Sequence, residues 1–423
     1  MSTTSLLIAG LLAFGQQVSA APANKTKCGG SGGIHPVKQV QLGPRPYFLV
    51  NDMDAGPLKD KLLSCSEMSM KPTEFSIGHR GGGTMLIPEE TVQSQLAGAR
   101  MGAGILECDV AFTADRQLVC RHDVCDLHRT TNIVTIPELN AKCTKPFEPA
   151  ANGKKASAKC CTSDITLAEF KTLCSKMDGE NTAATNAKDY LRGTSRASTD
   201  LYATCGKVMT HKEWIRLVDQ LGLKFTPELK TAPFKMPFKG NYTQAQYAQQ
   251  FVNEYREMGI DFSRVWPQSF LYDDILYWLK NEPEFAKQAV LLDESGDSAA
   301  TFPKAVAALE GYRKAGVNVI APPLPYLVKL DGNNQIVPSA YATEAKRLGF
   351  KIITWTVERS GILSDGSGGG FYYTSIANAT NNDGDVYNLI DVLAQQVGVV
   401  GIFSDWSATV TYYANCFGIF PNH

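Results

Sequence analysis

Side chains that can transfer protons and bind charged groups follow three closely spaced apolar runs in this chain. His79 and Arg80 follow the first run, Glu107 and Asp109 end the second, and His122 follows the third. Imidazoles suit general acid–base catalysis, and a guanidinium suits a phosphate. The two carboxylates share one strand face, and a cation would keep both ionised. The set predicts phosphate chemistry near a cation, while a structural His-Arg pair and a solvated strand edge are the alternatives.

Later strand ends add further candidates. Glu228 and Lys230 share a face of one apolar run, where they could extend a charged site or form a simple salt bridge. Trp355 lies in a late apolar run and is either a core residue or a substrate contact. Asp405 follows the last run and can be interpreted as no more than a helix cap. Strand ends converge at one mouth of a barrel, so these distant residues can share one site.

Apolar runs of strand length alternate with segments of helical periodicity. The predicted strands are 75–79, 105–110, 117–121, 223–228, 264–270, 289–292, 317–321, 351–357 and 399–403. The predicted helices are 91–101, 211–221, 245–258, 303–315, 340–348 and 386–397. This alternation predicts an α/β protein with a parallel sheet.

The predicted strands exceed by one the number that a (β/α)8 TIM barrel needs. The run 117–121 follows 105–110 too closely for a crossover helix, so we interpret it as an excursion near the barrel mouth. An open doubly wound sheet is the alternative, and it usually carries a GxGxxG loop after its first strand. Gly81, Gly82 and Gly83 are consecutive and lack that spacing, which favours the barrel.

The chain is predicted to divide into an export signal, an extension and one catalytic domain. Residues 1–20 hold a short apolar run and then small residues that suit cleavage, which predicts a signal peptide. Residues 21–74 form an N-terminal extension that precedes the barrel or packs on it, and residues 75–415 form the barrel. A cysteine-rich insertion over 138–207 and a polar loop over 361–385 interrupt the barrel. Long loops at strand ends often line an active site.

The eleven cysteines and the export signal predict a secreted, extracellular protein. Most of the cysteines fall in or near the insertion, so we expect disulfides to stabilise it, with the connectivity left open and one cysteine left over. N-glycosylation sequons begin at Asn24, Asn241 and Asn378. The 41 basic and 42 acidic residues give a net charge of −1, which predicts no nucleic-acid partner. No segment after the signal is long and apolar enough for a transmembrane helix.

Motifs in order over roughly residues 75–407 resemble those of the glycerophosphodiester phosphodiesterase family. The early motifs are His79-Arg80-Gly81, Pro88-Glu89-x-Thr91, Glu107-x-Asp109 and His122-Asp123. The later motifs are Glu228-x-Lys230, Gln268-Ser269-Phe270, Thr354-Trp355-Thr356-Val357 and Ser404-Asp405. The long segment after His122 is similar to that of the larger exported members. The chain departs from the family pattern at Glu90, where Asn or His is usual, and this added anion could alter specificity or metal geometry.

The resemblance implies a (β/α)8 barrel enzyme that hydrolyses glycerophosphodiesters to glycerol 3-phosphate and an alcohol. The implied acid–base pair is His79 and His122. One imidazole would take a proton from the nucleophile, and the other would protonate the leaving alkoxide. The nucleophile is either the adjacent glycerol hydroxyl, which would give a cyclic phosphate, or water.

The resemblance also implies a divalent metal cofactor. The implied metal ligands are Glu107, Asp109 and Glu228, and such oxygen ligands favour calcium or magnesium. The implied substrate contacts are Arg80 and Lys230 at the phosphate, and Phe270 and Trp355 as walls of the glycerol or alcohol side. Cys108 and Cys120 flank this set and stay unassigned, since a bond between them would need unusual strand geometry.

Two alternative functions stay open. A secreted phospholipase that acts on intact or lyso phospholipids would use the same barrel chemistry, with Phe371, Tyr372 and Tyr373 as an apolar rim. A non-catalytic surface or cell-wall binding protein would be expected to lose some of the acid–base or metal residues. All of those positions are present in this chain, which favours an enzyme.

Overall fold

Parallel strands form a closed barrel in a computed structural model, which describes residues 34–195 and 198–421. The barrel strands are β1 (Thr73–Gly78), β2 (Ala103–Phe112), β3 (Lys224–Leu229), β4 (Gln268–Ser269), β5 (Val290–Leu292), β6 (Val319–Ala321), β7 (Lys351–Val357) and β8 (Gly401–Ser404). Each strand pairs in parallel with the next one along the chain, and β8 pairs with β1. The predicted TIM barrel is therefore confirmed, and the open sheet is excluded.

The ninth strand of this sheet, Leu118–Cys120, lies outside the barrel. It runs antiparallel to the end of β2, with Cys120 opposite Val110 and Leu118 opposite Phe112. The run 117–121 is thus an excursion from the barrel, as predicted, because the tight connection permits only an antiparallel hairpin.

A helix follows every barrel strand. The helices are α1 (Arg45–Asp52), α2 (Pro57–Leu63), α3 (Val92–Arg100), α4 (Leu127–Thr130), α5 (Pro137–Asn140), α6 (Leu167–Phe170), α7 (Ala187–Tyr190), α8 (His211–Leu221), α9 (Gln244–Glu257), α10 (Tyr272–Asn281), α11 (Phe302–Lys314), α12 (Leu324–Leu327), α13 (Ala340–Arg347), α14 (Asp385–Asp391) and α15 (Ala408–Cys416). All six predicted helices are present. Sequence analysis missed α15 because all of its residues are buried, which removes the polar face that reveals a helix.

The N-terminal extension contributes α1 and α2, which pack against α15. A disulfide joins Cys65, just after α2, to Cys416 at the end of α15. The Asp52 side chain also accepts a hydrogen bond from the Asp383 N–H. The predicted signal peptide lies outside the described residues, and so does most of residues 21–34.

The cysteine-rich insertion packs around a small hydrophobic core, which includes Leu139, Ile165, Phe170 and Tyr190 and extends to Ala111 and Val119 of the barrel sheet. Three disulfides stabilise this region, and they are Cys125–Cys161, Cys143–Cys160 and Cys174–Cys205. The short helix α6 lies in this region and ends at Phe170. Cys28, the cysteine left over, lies outside the described residues.

The interior of the barrel is apolar at its centre and polar at one mouth. Ile77, Ile105, Val290, Val319 and Ile353 pack together in the interior. The charged candidates lie at the carboxyl ends of the strands, the end at which TIM barrels place their active sites. Among the helices that the structure describes, none has the length and apolar character needed to cross a membrane.

Candidate active site

Three carboxylates at the barrel mouth form a buried cluster that could hold a metal ion. Glu107 and Asp109 lie on β2, and Glu228 lies near the end of β3. Asp109 and Glu228 are partners in the sheet register, so their side chains are neighbours on one face. Oxygen atoms of the three residues lie within 4.8 Å of one another. Carboxylate oxygens in such a group suit calcium or magnesium.

Mutual repulsion within this cluster opposes ionisation of all three groups. Burial and the neighbouring carboxylates raise the pKa of Glu107 well above its ordinary value. Burial also raises the pKa of Glu228 to about 8, although Lys230 acts against the shift. Burial would raise the pKa of Asp109 too, but Lys230 and Arg80 outweigh it and lower that pKa to about 2. A divalent cation would relieve this repulsion, so the donor set fits one.

Hydrogen bonds and ion pairs hold the cluster in place. The Lys230 Nζ atom lies 2.6 Å from Glu228 Oε1 and 3.5 Å from Asp109 Oδ1. The Gln268 side-chain amide donates to Glu107 Oε1 over 2.8 Å. Lys230 therefore forms the salt bridge with Glu228 that was the simpler interpretation of the sequence. It also lies near a second carboxylate, that of Asp109. The buried Oδ2 atom of Asp109 accepts no hydrogen bond from the described residues. Among the described residues, only the Arg80 Nε atom, at 3.7 Å, forms an ion pair with this oxygen, so the oxygen could also bind a cation.

His79 begins a tight turn that follows β1. Its Nδ1 atom lies 2.6 Å from Asp405 Oδ1, and its Nε2 atom lies 3.9 Å from Glu107 Oε2. Because Asp405 accepts a hydrogen bond from Nδ1–H, Nε2 is left without a proton and can accept one. Burial lowers the pKa of His79 to about 4, although Asp405 acts against the shift. His79 is therefore neutral at neutral pH, the state that a general base requires.

His122 enters the same mouth from the loop after the antiparallel strand. One of its ring nitrogens and one carboxylate oxygen each of Glu89 and Asp126 lie within 4.8 Å of one another. Burial lowers the pKa of His122 well below its ordinary value, and the positive charges of Arg80, Lys230 and Arg359 act in the same direction. The Arg80 charge lowers the pKa of both imidazoles.

A disulfide joins the strand that carries two of the carboxylates to the strand that leads to His122. Cys108 lies between Glu107 and Asp109 in β2 and bonds to Cys120. Side chains alternate along a strand, so the sulfur of Cys108 lies on the face opposite the two carboxylates. The expectation that this bond would need unusual strand geometry is wrong. Antiparallel pairing brings the two Cα atoms to 5.4 Å, an ordinary disulfide distance.

Two arginines hold Glu89 between them. Arg80 donates to Glu89 Oε2 over 2.9 Å, and Arg359 lies 3.3 Å from the same oxygen. The Arg359 Nε atom also lies 2.8 Å from Asp405 Oδ2. Burial would raise the pKa of Glu89, but the two guanidinium groups outweigh it and lower the pKa to about 2. The sequence predicted Arg80 as a phosphate contact but did not indicate Arg359. Arg359 adds a second positive charge beside Glu89.

Phe270 and Trp355 form adjoining walls near Lys230. Their ring centroids are 5.8 Å apart with an interplanar angle of 82°, and the Lys230 Nζ atom lies 5.9 Å from the centre of the Phe270 ring. The indole N–H of Trp355 donates to the Ala321 carbonyl, which fixes the ring. Trp355 is half-buried and packs on the barrel core, so it is a core residue with one part exposed at the mouth.

Glu90 lies beneath the cluster rather than at its surface. Its side chain is buried and accepts a hydrogen bond from the Asp109 N–H over 3.2 Å. Burial and the Asp109 charge raise the pKa of Glu90 well above its ordinary value. The residue therefore contacts the backbone of the carboxylate strand, and its effect on specificity or metal geometry stays a prediction.

A model of the glycerophosphoryl diester phosphodiesterase family matches residues 79–409, which include the carboxylate cluster, both imidazoles and both arginines. This chain belongs to the glycerophosphoryl diester phosphodiesterase family. It is an enzyme of the phosphoric diester hydrolase class on a TIM barrel, as the resemblance in the sequence implied. The alternative of a non-catalytic binding protein is therefore set aside.

Two curated relatives and one solved structure illustrate how this member compares. The chain is 50% identical over 245 residues to a protein of Arthroderma benhamiae named "Extracellular protein", covering 57% of this chain and 100% of the relative. It is 29% identical over 133 residues to a glycerophosphodiester phosphodiesterase of Arabidopsis thaliana, covering 30% of this chain and 34% of that protein. A Silicibacter pomeroyi structure named for the same family has a TM-score of 0.51 and 19% identity, and covers 84% of this chain and 98% of its own. That structure shows the shared fold.

The structure brings every predicted site residue to one mouth of the barrel. Two residues that pair with the predicted site residues had no functional role assigned from the sequence. Asp405 is not the predicted helix cap, because α15 begins at Ala408 without a side-chain cap, and it pairs with His79 instead. Arg359 lies two residues after the end of β7, and this position after a strand end is the one signal in the sequence that could have indicated it. The catalytic and binding roles of the whole set are proposals.

Proposed function

We propose that the enzyme hydrolyses glycerophosphodiesters to glycerol 3-phosphate and an alcohol by metal-assisted acid–base catalysis. Glu107, Asp109 and Glu228 would hold a calcium or magnesium ion, and His79 and His122 would exchange the protons. The observation that carries this proposal is the shared pocket, in which the His79 Nε2 atom lies 3.9 Å from a carboxylate of the cluster. Family membership supports the reaction class, and the donor set supports the cation.

Each residue of the proposed site has a defined part in this mechanism. Arg80 and Lys230 bind the phosphoryl oxygens and offset their charge. A calcium or magnesium ion, when bound, would add Lewis-acid stabilisation of the charge that develops there. His79 takes the proton of the nucleophile at Nε2, while Asp405 stabilises the resulting imidazolium at Nδ1. His122 donates a proton to the leaving oxygen, because the negative phosphodiester favours its protonated form.

We also propose that the enzyme acts outside the cell and carries N-glycans. Disulfides of this number suit an oxidising compartment, and the Arthroderma relative is named an extracellular protein. Asn241 and Asn378 are exposed and could carry glycans, whereas Asn24 lies outside the described residues. Enzymatic deglycosylation of the secreted protein should lower its mass, with the asparagines converted to aspartate at these sequons. An unchanged mass would contradict the glycan proposal.

A panel of glycerophosphodiesters tests the reaction and its cation together. We expect purified enzyme to release glycerol 3-phosphate, to lose activity after chelation, and to regain it when calcium or magnesium is added. His79→Ala and His122→Ala should each lower kcat by about 100-fold or more. His128→Ala is the matched control, because His128 is a half-buried histidine that belongs neither to the carboxylate cluster nor to the group formed by Glu89, His122 and Asp126. Full activity in metal-free protein would refute the proposed requirement for a cation. Near-normal turnover of either histidine variant would exclude that histidine from the mechanism.

A further inference from the structure

A polar cavity lies at the barrel mouth beside Arg359. Its volume is about 180 Å³, below the roughly 300 to 1,000 Å³ that is usual for pockets that bind drug-sized molecules. The charged side chains that line it are Glu89, Asp178, Glu358, Arg359 and Asp405. The cavity therefore suits one small polar group and is too small for a long apolar chain.

The cysteine-rich insertion forms one wall of this cavity. The Cys174–Cys205 disulfide closes the base of a segment of the insertion. Four lining residues come from this segment, and they are Met177, Asp178, Ser195 and Ser198. The Thr199 N–H donates to the Met85 carbonyl over 3.3 Å, which joins the segment to the loop after β1. The other lining residues follow β1, β7 and β8, so the barrel and the insertion build the cavity together.

The cavity and the aromatic wall adjoin different oxygens of Asp109. The Lys230 Nζ atom lies 3.5 Å from Asp109 Oδ1, and the Arg80 Nε atom lies 3.7 Å from Asp109 Oδ2. Lys230 leads to the wall through Phe270. Arg80 leads to the cavity, because it donates to Glu89, which lines the cavity. A phosphodiester carries two alcohol groups on one phosphorus, so a substrate at the cluster can reach both regions.

Ion pairs already compensate most of the charges in the cavity. Arg359 pairs with Glu89 over 3.3 Å and with Asp405 over 2.8 Å. Asp178 pairs with Arg129 over 3.2 Å. These carboxylates therefore have guanidinium partners, and the cavity offers hydrogen bonds rather than an uncompensated charge to a ligand.

A buried hydroxyl in the cavity has no partner. Thr84 follows β1, is 7% exposed, and its Oγ1 atom forms no hydrogen bond with the described residues. Glu358, the remaining carboxylate, accepts a hydrogen bond from the Ser404 hydroxyl over 2.8 Å and lies 4.0 Å from Arg45. Buried polar groups are normally hydrogen-bonded, so the Thr84 hydroxyl indicates a ligand that can donate or accept a hydrogen bond there.

We propose that this cavity binds hydroxyl groups of the leaving alcohol, so that the enzyme prefers glycerophosphodiesters whose alcohol is a small polyol such as inositol. This inference rests on the proposed function, because the bond would break at the same cluster. In the overall reaction the oxygen of water bonds to phosphorus, the bond from phosphorus to the polyol oxygen breaks, and that oxygen takes the proton. The products are glycerol 3-phosphate and the polyol.

The lining favours a polyol over a quaternary ammonium group such as that of choline. Aromatic faces bind such a cation, but the described residues that line the cavity include no aromatic ring, and Arg359 would repel it. A quaternary ammonium group also has no hydrogen-bond donor or acceptor for Thr84. Each polyol hydroxyl both donates and accepts, so it can bond to Thr84 and to carboxylate oxygens of the lining at once.

The ratio of kcat/KM for glycerophosphoinositol to that for glycerophosphocholine tests this inference. We expect the inositol compound to be preferred by about tenfold or more in the wild-type enzyme, because a site built for hydroxyl groups rejects an analogue without them. Thr84→Val should lower this ratio by about fivefold or more, and Thr84→Ser, which keeps the hydroxyl, should retain it. Thr411→Val is the matched control, because Thr411 on α15 is also buried without a hydroxyl partner among the described residues but lies outside the cavity.

The remaining outcomes separate this inference from the proposed function. No preference for the inositol compound, or the same ratio in Thr84→Val as in wild type, would overturn the inference alone and leave only water in the cavity. If neither compound is hydrolysed, the proposed function fails, and calorimetric titration of His122→Ala with glycerophosphoinositol decides about the cavity. Binding that the added Thr84→Val change weakens would support the cavity, and binding that it leaves unchanged would refute the cavity too.

Discussion

The Nδ1 atom of His79 lies 2.6 Å from the Oδ1 atom of Asp405, although 326 positions separate the two residues in the chain. They come together because β1 and β8 are neighbours in the closed barrel. The remaining oxygen of Asp405 is held by Arg359 over 2.8 Å. The carboxylate thus has a fixed orientation and directs the free nitrogen of His79 toward the carboxylate cluster.

Asp405→Asn should lower kcat/KM by about 100-fold, because the amide no longer stabilises a protonated His79. The Asp405 charge raises the pKa of His79 against the effect of burial. Its removal should therefore shift the acid limb of the pH–rate profile to lower pH. Asp405→Glu should restore part of the rate, since it keeps the charge. A variant that loses only thermal stability and keeps the wild-type profile would show a purely structural role.

Calcium or magnesium should raise the thermal stability of the wild-type enzyme, because an ion that binds the folded state stabilises it. The expected gain is about 2.7 kcal/mol at a free concentration 100 times the Kd. Glu107→Gln should abolish most of this gain and the heat signal in titration calorimetry. Glu294→Gln serves as the control, since Glu294 is an exposed carboxylate that follows β5 outside the cluster. Equal metal stabilisation of both variants would argue against the site.

The Cys108–Cys120 disulfide should matter more for turnover than a disulfide of similar span elsewhere. Replacing both cysteines by alanine removes the covalent bond between the carboxylate strand and the strand before His122, so we expect kcat to fall about tenfold. Alanine at both Cys143 and Cys160 removes a disulfide of the insertion.

Each double variant should lose roughly 2–4 kcal/mol of unfolding free energy in urea. Only the Cys108 and Cys120 variant should also lose turnover under conditions where both proteins are fully folded. The same kcat for both double variants would show that the disulfide near the cluster acts on stability alone.

Glu89 should make stability depend on acid pH. Its pKa is lowered from 4.5 to about 2 in the folded protein, so its contribution is complete above pH 4.5 and is lost as the pH falls toward about 2. The difference in unfolding free energy between wild type and Glu89→Gln should therefore be constant above pH 4.5 and narrow below it. Glu310→Gln, which affects an exposed ion pair with Lys314, is the control and should change little. A difference that stays constant throughout would contradict the prediction.

Much of the fold could be predicted from local patterns. The pattern of strand runs such as 105–110 and of helices such as α8 lies in neighbouring residues, so these elements can be predicted without any long-range information. The excursion over 117–121 was predicted too, because a short connection forbids a parallel crossover. The helix α15 was missed, since burial on all sides leaves no periodic pattern.

The residue types that support proton transfer, phosphate binding and cation binding were determined by the sequence alone, as was their position at strand ends. Which of them touch was decided by the tertiary structure. Closure of the barrel brings Asp405 into contact with His79, and Arg359 into contact with Glu89. The register of β2 with β3 places Asp109 beside Glu228. The reason is physical: spacing along a chain defines the face that a side chain shares, whereas contact between distant strands depends on how the whole sheet curves and closes.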